Sequence, residues 1–230
     1  MAAISLNPEQ QTIVEHLDGP ALVIAGAGSG KTRVIIHRVA RLIERGVPPS
    51  AILMVTFTNK AAEEMMRRLE GLLPGRQGPG SPGRGGDKVM AGTFHSVANR
   101  FLRRYAALAG YGNNYSILDE SDSRDLIKSA IADTIGKPDR RFPTAAVVQT
   151  VRSMAFNRNM ELSQLLREQY PWLYEFEAAR AAIRKKYTEK KLANNAMDFD
   201  DLLRNWHRLL AEHPELEMAR RLRYLLVDEY

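Results

Sequence analysis

The sequence predicts an α/β fold: a parallel sheet whose strands run directly into helices, with a helical stretch inserted before the last strand. Three observations carry this. Short apolar runs at 22–25, 52–56, 88–92 and 224–227 have the length and composition of buried strands. The first three are each followed by apolar side chains at helical spacing, the strand-then-helix order of a parallel sheet. From about 113 to 195 the strand signals disappear and helix signals follow one another.

The chain opens on a helix start. In Leu6-Asn7-Pro8-Glu9-Gln10-Gln11, Asn7 is the N-cap, Pro8 takes the first helical position and Gln10 the third; Ile13, Val14 and Leu17 make the apolar stripe. Two readings of Gln10 stand side by side. It completes a capping box, or its carboxamide, with one acceptor and two donors, meets the edge of an adenine.

The most informative stretch follows. In Leu22-Val23-Ile24-Ala25-Gly26-Ala27-Gly28-Ser29-Gly30-Lys31-Thr32 an apolar run ends in a glycine-rich turn, and the next helix carries Ile35, Val39, Leu42 and Ile43. Strand, glycine loop and helix are the setting of a phosphate-binding P-loop. The small residues Ala25, Gly26, Ala27, Gly28, Ser29 and Gly30 let successive backbone N–H groups turn inward on an anion. The helix start adds its unpaired N–H groups and the positive end of its dipole. Lys31 would reach the β- and γ-phosphates, and the Thr32 hydroxyl would ligate Mg²⁺. Ala25 stands where the strict pattern has glycine, and at the end of a strand φ is negative, so alanine fits. The segment is read as a nucleoside-triphosphate site.

Composition bounds the rest. At 230 residues the chain can bury a core and hold one large domain or two small ones. A net charge of +6 favours a polyanionic partner. Arginine far outnumbers lysine, though, and a GC-rich genome produces the same skew, so charge does not decide the matter. The absence of cysteine excludes disulfides and thiolate metal sites and suits a reducing compartment. No apolar run spans a bilayer and no signal-peptide pattern opens the chain, so the expectation is a cytoplasmic protein with no membrane partner.

Two further strand-to-helix junctions carry unusual side chains. After Ile52-Leu53-Met54-Val55-Thr56 come Phe57, Thr58, Asn59 and Lys60, then a helix with Ala61, Ala62, Met65 and Leu69. Hydroxyls, an amide, a lysine and an aromatic hold a phosphate and stack a base. The plainer reading is a turn capped by Thr58 or Asn59. After Lys88-Val89-Met90-Ala91-Gly92 come Thr93, Phe94, His95 and Ser96, then a helix with Val97, Phe101, Leu102 and Tyr105. The carboxyl edge of parallel strands is where α/β sheets bind ligands. Two such loops there, beside a P-loop, favour a functional role over a merely structural histidine. Between them, 74–86 (PGRQGPGSPGRGG) reads as a flexible Gly/Pro surface loop.

In the helical stretch Ser121 is expected to cap a helix that Gly136-Lys137-Pro138 stops. Further helices are expected over 143–158, 162–170 and 171–191. Its basic runs, Arg140-Arg141, Arg184-Lys185-Lys186 and Lys190-Lys191, read as solvated faces of a separate lobe. Met197-Asp198-Phe199-Asp200-Asp201 starts the next helix, with Asp198 as N-cap and the acids complementing the dipole. After a helix over 214–221, Tyr224-Leu225-Leu226-Val227-Asp228-Glu229 is a buried strand ending in two acids, the expected partner of a P-loop. Asp228 would hold Mg²⁺ and Glu229 would orient or deprotonate the attacking water.

Taken in order, LNPEQQ, AGAGSGKT, TFTNKAA, GTFHS, DFDDLL and LLVDEY resemble the motifs of superfamily-1 DNA helicases of the UvrD/PcrA/Rep group, over nearly the whole chain. The resemblance implies a RecA-like P-loop NTPase domain, here 1–112 and 197–230, interrupted by an all-helical subdomain at 113–196. It implies an ATP-driven 3′-to-5′ helicase of DNA repair or replication, using ATP and Mg²⁺ on single-stranded and fork DNA, with DNA-repair proteins as partners. By motif, Gln10 reads adenine, Arg33 lies near the nucleotide, and Phe57, Thr58, Asn59, Lys60, Thr93, Phe94 and His95 line the single-strand track. The family hydrolyses ATP between two RecA-like domains, the second supplying arginines. That second domain lies outside these 230 residues, so the piece is expected to bind ATP and DNA but to turn over little. The alternatives are a subunit of an AddA/RecB-like helicase–nuclease, or a non-catalytic nucleic-acid-binding module with a vestigial P-loop.

Overall fold

The computed structural model describes residues 6–73 and 88–229. The 74–86 Gly/Pro loop lies outside the described residues. Packing divides the chain into two compact units, Met1–Val97 with Glu212–Tyr230, and Ala98–Ala211. The expected insert, 113–196, falls inside the second.

The first unit begins with α1 (Pro8–Glu15), closed by a full capping box: Gln10 N donates to Asn7 Oδ1 at 2.8 Å and Asn7 N to Gln10 Oε1 at 3.0 Å. Next comes α2 (Lys31–Glu44), whose buried stripe of Ile36, Val39, Leu42 and Ile43 faces the core. Two arginines of α2 fasten α1 to it. Arg38 donates to Ile13 O at 2.8 Å, and Arg41 pairs with Glu15 at 3.1 Å. Gln10 is thereby held beside the start of α2.

The sheet follows. β1 (Ile52–Thr56) is buried at all five positions, as the central strand of a parallel sheet must be. It leads through α3 (Asn59–Leu72) to β2 (Met90–Thr93), and the last strand is β5 (Tyr224–Val227), reached after two strands of the second unit. The order is β2-β1-β5, all parallel. Thr56 pairs with Thr93, and Val55 with Val227, so the three strands end at one edge in register. Ile52, Met54 and Leu226 join the α2 stripe, Met65 and Leu69 in one core. The strand expected over 88–92 starts two residues later and ends one residue later.

One expected strand does not form. Residues 21–26 carry no ladder to any described strand, and Leu22 and Ile24 are 72% and 89% exposed. Strand composition is only half of a strand: without a paired neighbour the backbone gains no cross-strand hydrogen bonds. Among the described residues β5 pairs with β1 alone, and Leu225 is exposed.

The second unit is built mainly of helices. α4 (Phe94–Tyr105) runs into it from the first unit. β3 (Ser116–Ile117) and β4 (Ala196–Met197) form a short parallel pair, so 113–195 is not free of strands; two residues are too few to show alternation in sequence. Between them lie α5 (Glu120–Ile135), α6 (Ala145–Asn157), α7 (Leu162–Gln169) and α8 (Glu177–Ala193). The cap of α5 is Asp119, not Ser121: Asp119 Oδ1 accepts from Asp122 N at 2.8 Å, and the backbone at Asp119 is extended. The long helix expected from Pro171 is a 3₁₀ turn over Pro171–Phe176 and only then α8. That turn buries Leu173 and sets the Phe176 ring 5.2 Å from Phe142. α9 (Phe199–Glu212) follows β4, and α10 (Glu217–Arg221), in the first unit, is shorter than the expected 214–221.

Candidate functional site

The P-loop backbone adopts the conformations its glycines allow. Gly28 and Gly30 have φ of +74° and +85°, left-handed values that disfavour any Cβ, and Gly30 is the N-cap of α2. Ser29 Oγ donates to Gly26 O at 2.7 Å and closes the turn. Ala25 and Ala27 are exposed in the same loop. The Lys31 amine reaches back over it, donating to Ala25 O at 2.8 Å and Gly26 O at 2.9 Å.

Gln10 does two things at once. Its Oε1 serves the capping box, and its Nε2 donates to Ser29 O at 2.9 Å, so α1 braces the loop directly. One amide N–H is left for a ligand. Sequence reading set the two roles of Gln10 as alternatives; the capping box is formed, and the bracing contact is an addition that only the packing of α1 on α2 supplies. Arg33, in the first turn of α2, is partly buried. Burial, and then the Arg33 charge, lower the pKa of His37 one turn on.

Of the two acids at the tip of β5, Asp228 meets the start of α2. Asp228 N donates to Val55 O at 2.8 Å, extending the β5–β1 ladder by one residue and fixing the carboxylate. Asp228 is buried, and its Oδ2 accepts from Thr32 Oγ1 at 2.7 Å. A hydroxyl and a carboxylate oxygen side by side are the hard donors that suit Mg²⁺. Among the described residues no group of three His, Asp or Glu is placed to hold a metal. A site of this kind therefore leaves most of the coordination shell to phosphate and water, as Mg²⁺ prefers. Glu229 is exposed and has φ +63°, a conformation rare for a residue with a Cβ.

Along the same edge, Phe57 follows β1 and Phe94 follows β2. They are 79% and 42% exposed, so neither ring joins the core. Thr58 caps α3, accepting from Ala61 N at 3.1 Å, and Asn59 and Lys60 are exposed at the start of that helix. Thr93 Oγ1 accepts from Ser96 N at 3.2 Å and caps α4, with His95 partly buried next to it. The plainer capping reading of the first loop thus holds at Thr58, the Thr93 cap is an addition, and capping leaves both aromatic rings unexplained. Thr56, which sequence reading did not single out, ends β1 with a buried hydroxyl that has no hydrogen-bond partner among the described residues. Its signal in the sequence was a polar residue closing an apolar strand.

The DFDDLL acids lie in the second unit and do more than cap. Asp198 and Asp201 do cap α9 reciprocally, Asp201 N donating to Asp198 Oδ1 at 2.8 Å. Asp198 Oδ2 also accepts from Arg152 of α6 at 2.6 Å and from Tyr187 and Lys191 of α8 at 2.9 and 2.7 Å. Lys191 pairs with Asp201 as well and is 1% exposed. Lys191 is thus no part of a solvated face.

Among the described residues no helix is long and apolar enough to cross a membrane. Residues 6–230 match the model of the UvrD/REP helicase N-terminal domain. The chain is 39% identical over 228 residues to the ATP-dependent DNA helicase PcrA of Bacillus subtilis, covering 98% of this chain and 29% of that protein. It is 37% identical over 229 residues to the ATP-dependent DNA helicase UvrD1 of Mycobacterium tuberculosis, covering 98% of this chain and 28% of that one. The chain therefore spans under a third of the length of these relatives. With a glycine loop, a Thr–Asp pair and exposed aromatics along one sheet edge, it belongs to the UvrD/REP helicase N-terminal domain family.

Proposed function

We propose that this chain is the ATP-binding part of an ATP-dependent 3′-to-5′ DNA helicase. The contact between Thr32 and Asp228 carries the reading, because it joins the P-loop to the acidic strand tip. Gln10, the loop from Ala25 to Gly30, Lys31, Thr32 and Arg33 receive the nucleotide. Lys31 exchanges its loop carbonyls for the β- and γ-phosphates. Thr32 and Asp228 hold Mg²⁺, which when bound neutralises charge on the phosphates. Glu229 orients the attacking water and accepts its proton.

Phe57 and Phe94 stack bases of single-stranded DNA, flanked by Thr58, Asn59, Lys60, Thr93 and His95. Residues 113–196 form the inserted helical lobe and meet fork DNA through its phosphates. The setting is the cytoplasm, in DNA repair or replication.

Binding of a fluorescent ATP analogue, with Mg²⁺, tests the first half. Lys31→Ala abolishes it under this reading, whereas unchanged binding would favour a nucleic-acid-binding module with an idle P-loop. Anisotropy with labelled oligonucleotides tests the second. Phe57→Ala and Phe94→Ala each weaken single-strand binding by roughly 5- to 150-fold, about 1–3 kcal/mol per stacked base. Binding that is insensitive to both variants, or to rising salt, sinks the DNA track.

A further inference from the structure

Arg180 lies in the first turns of α8, inside the second unit, and is 2% exposed. Its Nε, Nη1 and Nη2 have no hydrogen-bond partner among the described residues. Nearby carboxylates are already committed: Asp198 and Asp200 to Arg152, and Asp198 and Asp201 to Lys191. Burial lowers the pKa of the Arg180 guanidinium. Arginine nonetheless keeps its proton inside proteins. A buried, uncompensated charge is strongly unfavourable unless something supplies the opposite charge.

The space beside it limits what that can be. Arg180 borders a cavity of about 20 Å³ lined also by Arg152, Arg184, Tyr187, Ile127 and Val148. Arg152 brings a second orphan to the same cluster, its buried Nε–H. The volume admits one occupant the size of a water molecule. Water would satisfy N–H groups but not the charge, and a monatomic anion matches the room beside the guanidinium better than a polyatomic one. We infer that this cavity is a monatomic-anion site with chloride as its ligand, bound by the Arg180 guanidinium, and that the anion completes the core of the helical unit.

The test measures thermal unfolding of the full 230-residue chain while sodium chloride or bromide replaces sodium gluconate at constant ionic strength, which removes general screening from the comparison. A saturable rise in Tm of about 2–4 °C is expected with either halide. Arg180→Met, which keeps the volume but removes the charge, abolishes that rise. Should the variant fail to fold, crystals of the unaltered chain soaked in bromide give an anomalous peak at the Arg180 guanidinium. A Tm indifferent to halide overturns the proposal. So does a rise that persists in Arg180→Met, or a water in place of bromide. A bromide peak without a Tm response marks an adventitious ion only and also overturns it.

Discussion

Thr32 Oγ1 donates to Asp228 Oδ2 at 2.7 Å although 196 residues separate them. Register brings them together: Val55 pairs with Val227, and Asp228 continues that ladder beyond the strand. If the pair holds Mg²⁺ on a nucleotide, Thr32→Ala and Asp228→Asn each lower the Mg²⁺-dependent part of ATP affinity by about 10-fold or more, the worth of one charge-assisted contact. Titration calorimetry with and without Mg²⁺ reads this directly. Equal losses in both conditions would mean that the pair only shapes the loop.

The two left-handed glycines of the P-loop differ in surroundings, and alanine separates them. A Cβ on Gly28 meets open space, so Gly28→Ala carries backbone strain alone, about 1–2 kcal/mol. A Cβ on Gly30 lies 3.1 Å from Gln10 Nε2 and presses on the amide that braces Ser29. Gly30→Ala should therefore lower stability more than Gly28→Ala, and a Gln10→Ala background should narrow the gap. Urea unfolding of the four variants checks the order.

Lys191 is enclosed with two carboxylates, and removing its charge leaves both short of a partner. Lys191→Met is expected to destabilise the second unit by about 3–5 kcal/mol, the cost of breaking a buried ion pair from one side. Lys190→Met, one residue away on a half-exposed pair with Asp133, should cost less than about 1 kcal/mol. Chemical denaturation of both variants makes the comparison.

Acid should loosen the same cluster. Burial alone would raise Asp198, but the Arg152 and Lys191 charges and the Lys191 hydrogen bond outweigh it and hold the carboxyl far below the usual range. The unfolded chain then takes up this proton first, so the stabilisation is complete above about pH 5 and is lost as pH falls through 4 and below. Asp200 is raised, chiefly by burial, and its proton favours the folded form as pH drops. Asp198→Asn should flatten the acid loss of stability and Asp200→Asn should steepen it. Thermal melts across that pH range show the two slopes.

The sequence alone determined what depends on near neighbours. The Asn7 cap, the Pro8 start, the glycine loop opening on Lys31-Thr32, the buried run of β1 and the acid-tipped β5 are all set within a few residues by turn chemistry and apolar period. Only the tertiary structure decided what depends on a distant partner. Leu22-Val23-Ile24 reads as a strand yet finds no described ladder, while Ser116 and Ile117 read as nothing and pair with Ala196 and Met197. Asp198 reads as a cap and also proves to be the hub of a buried ion cluster. Gln10 braces the P-loop because two arginines of α2 bind α1. A hydrogen-bond ladder or an ion pair between remote segments exists only once packing has chosen both partners, and one residue's own neighbourhood carries no record of that choice.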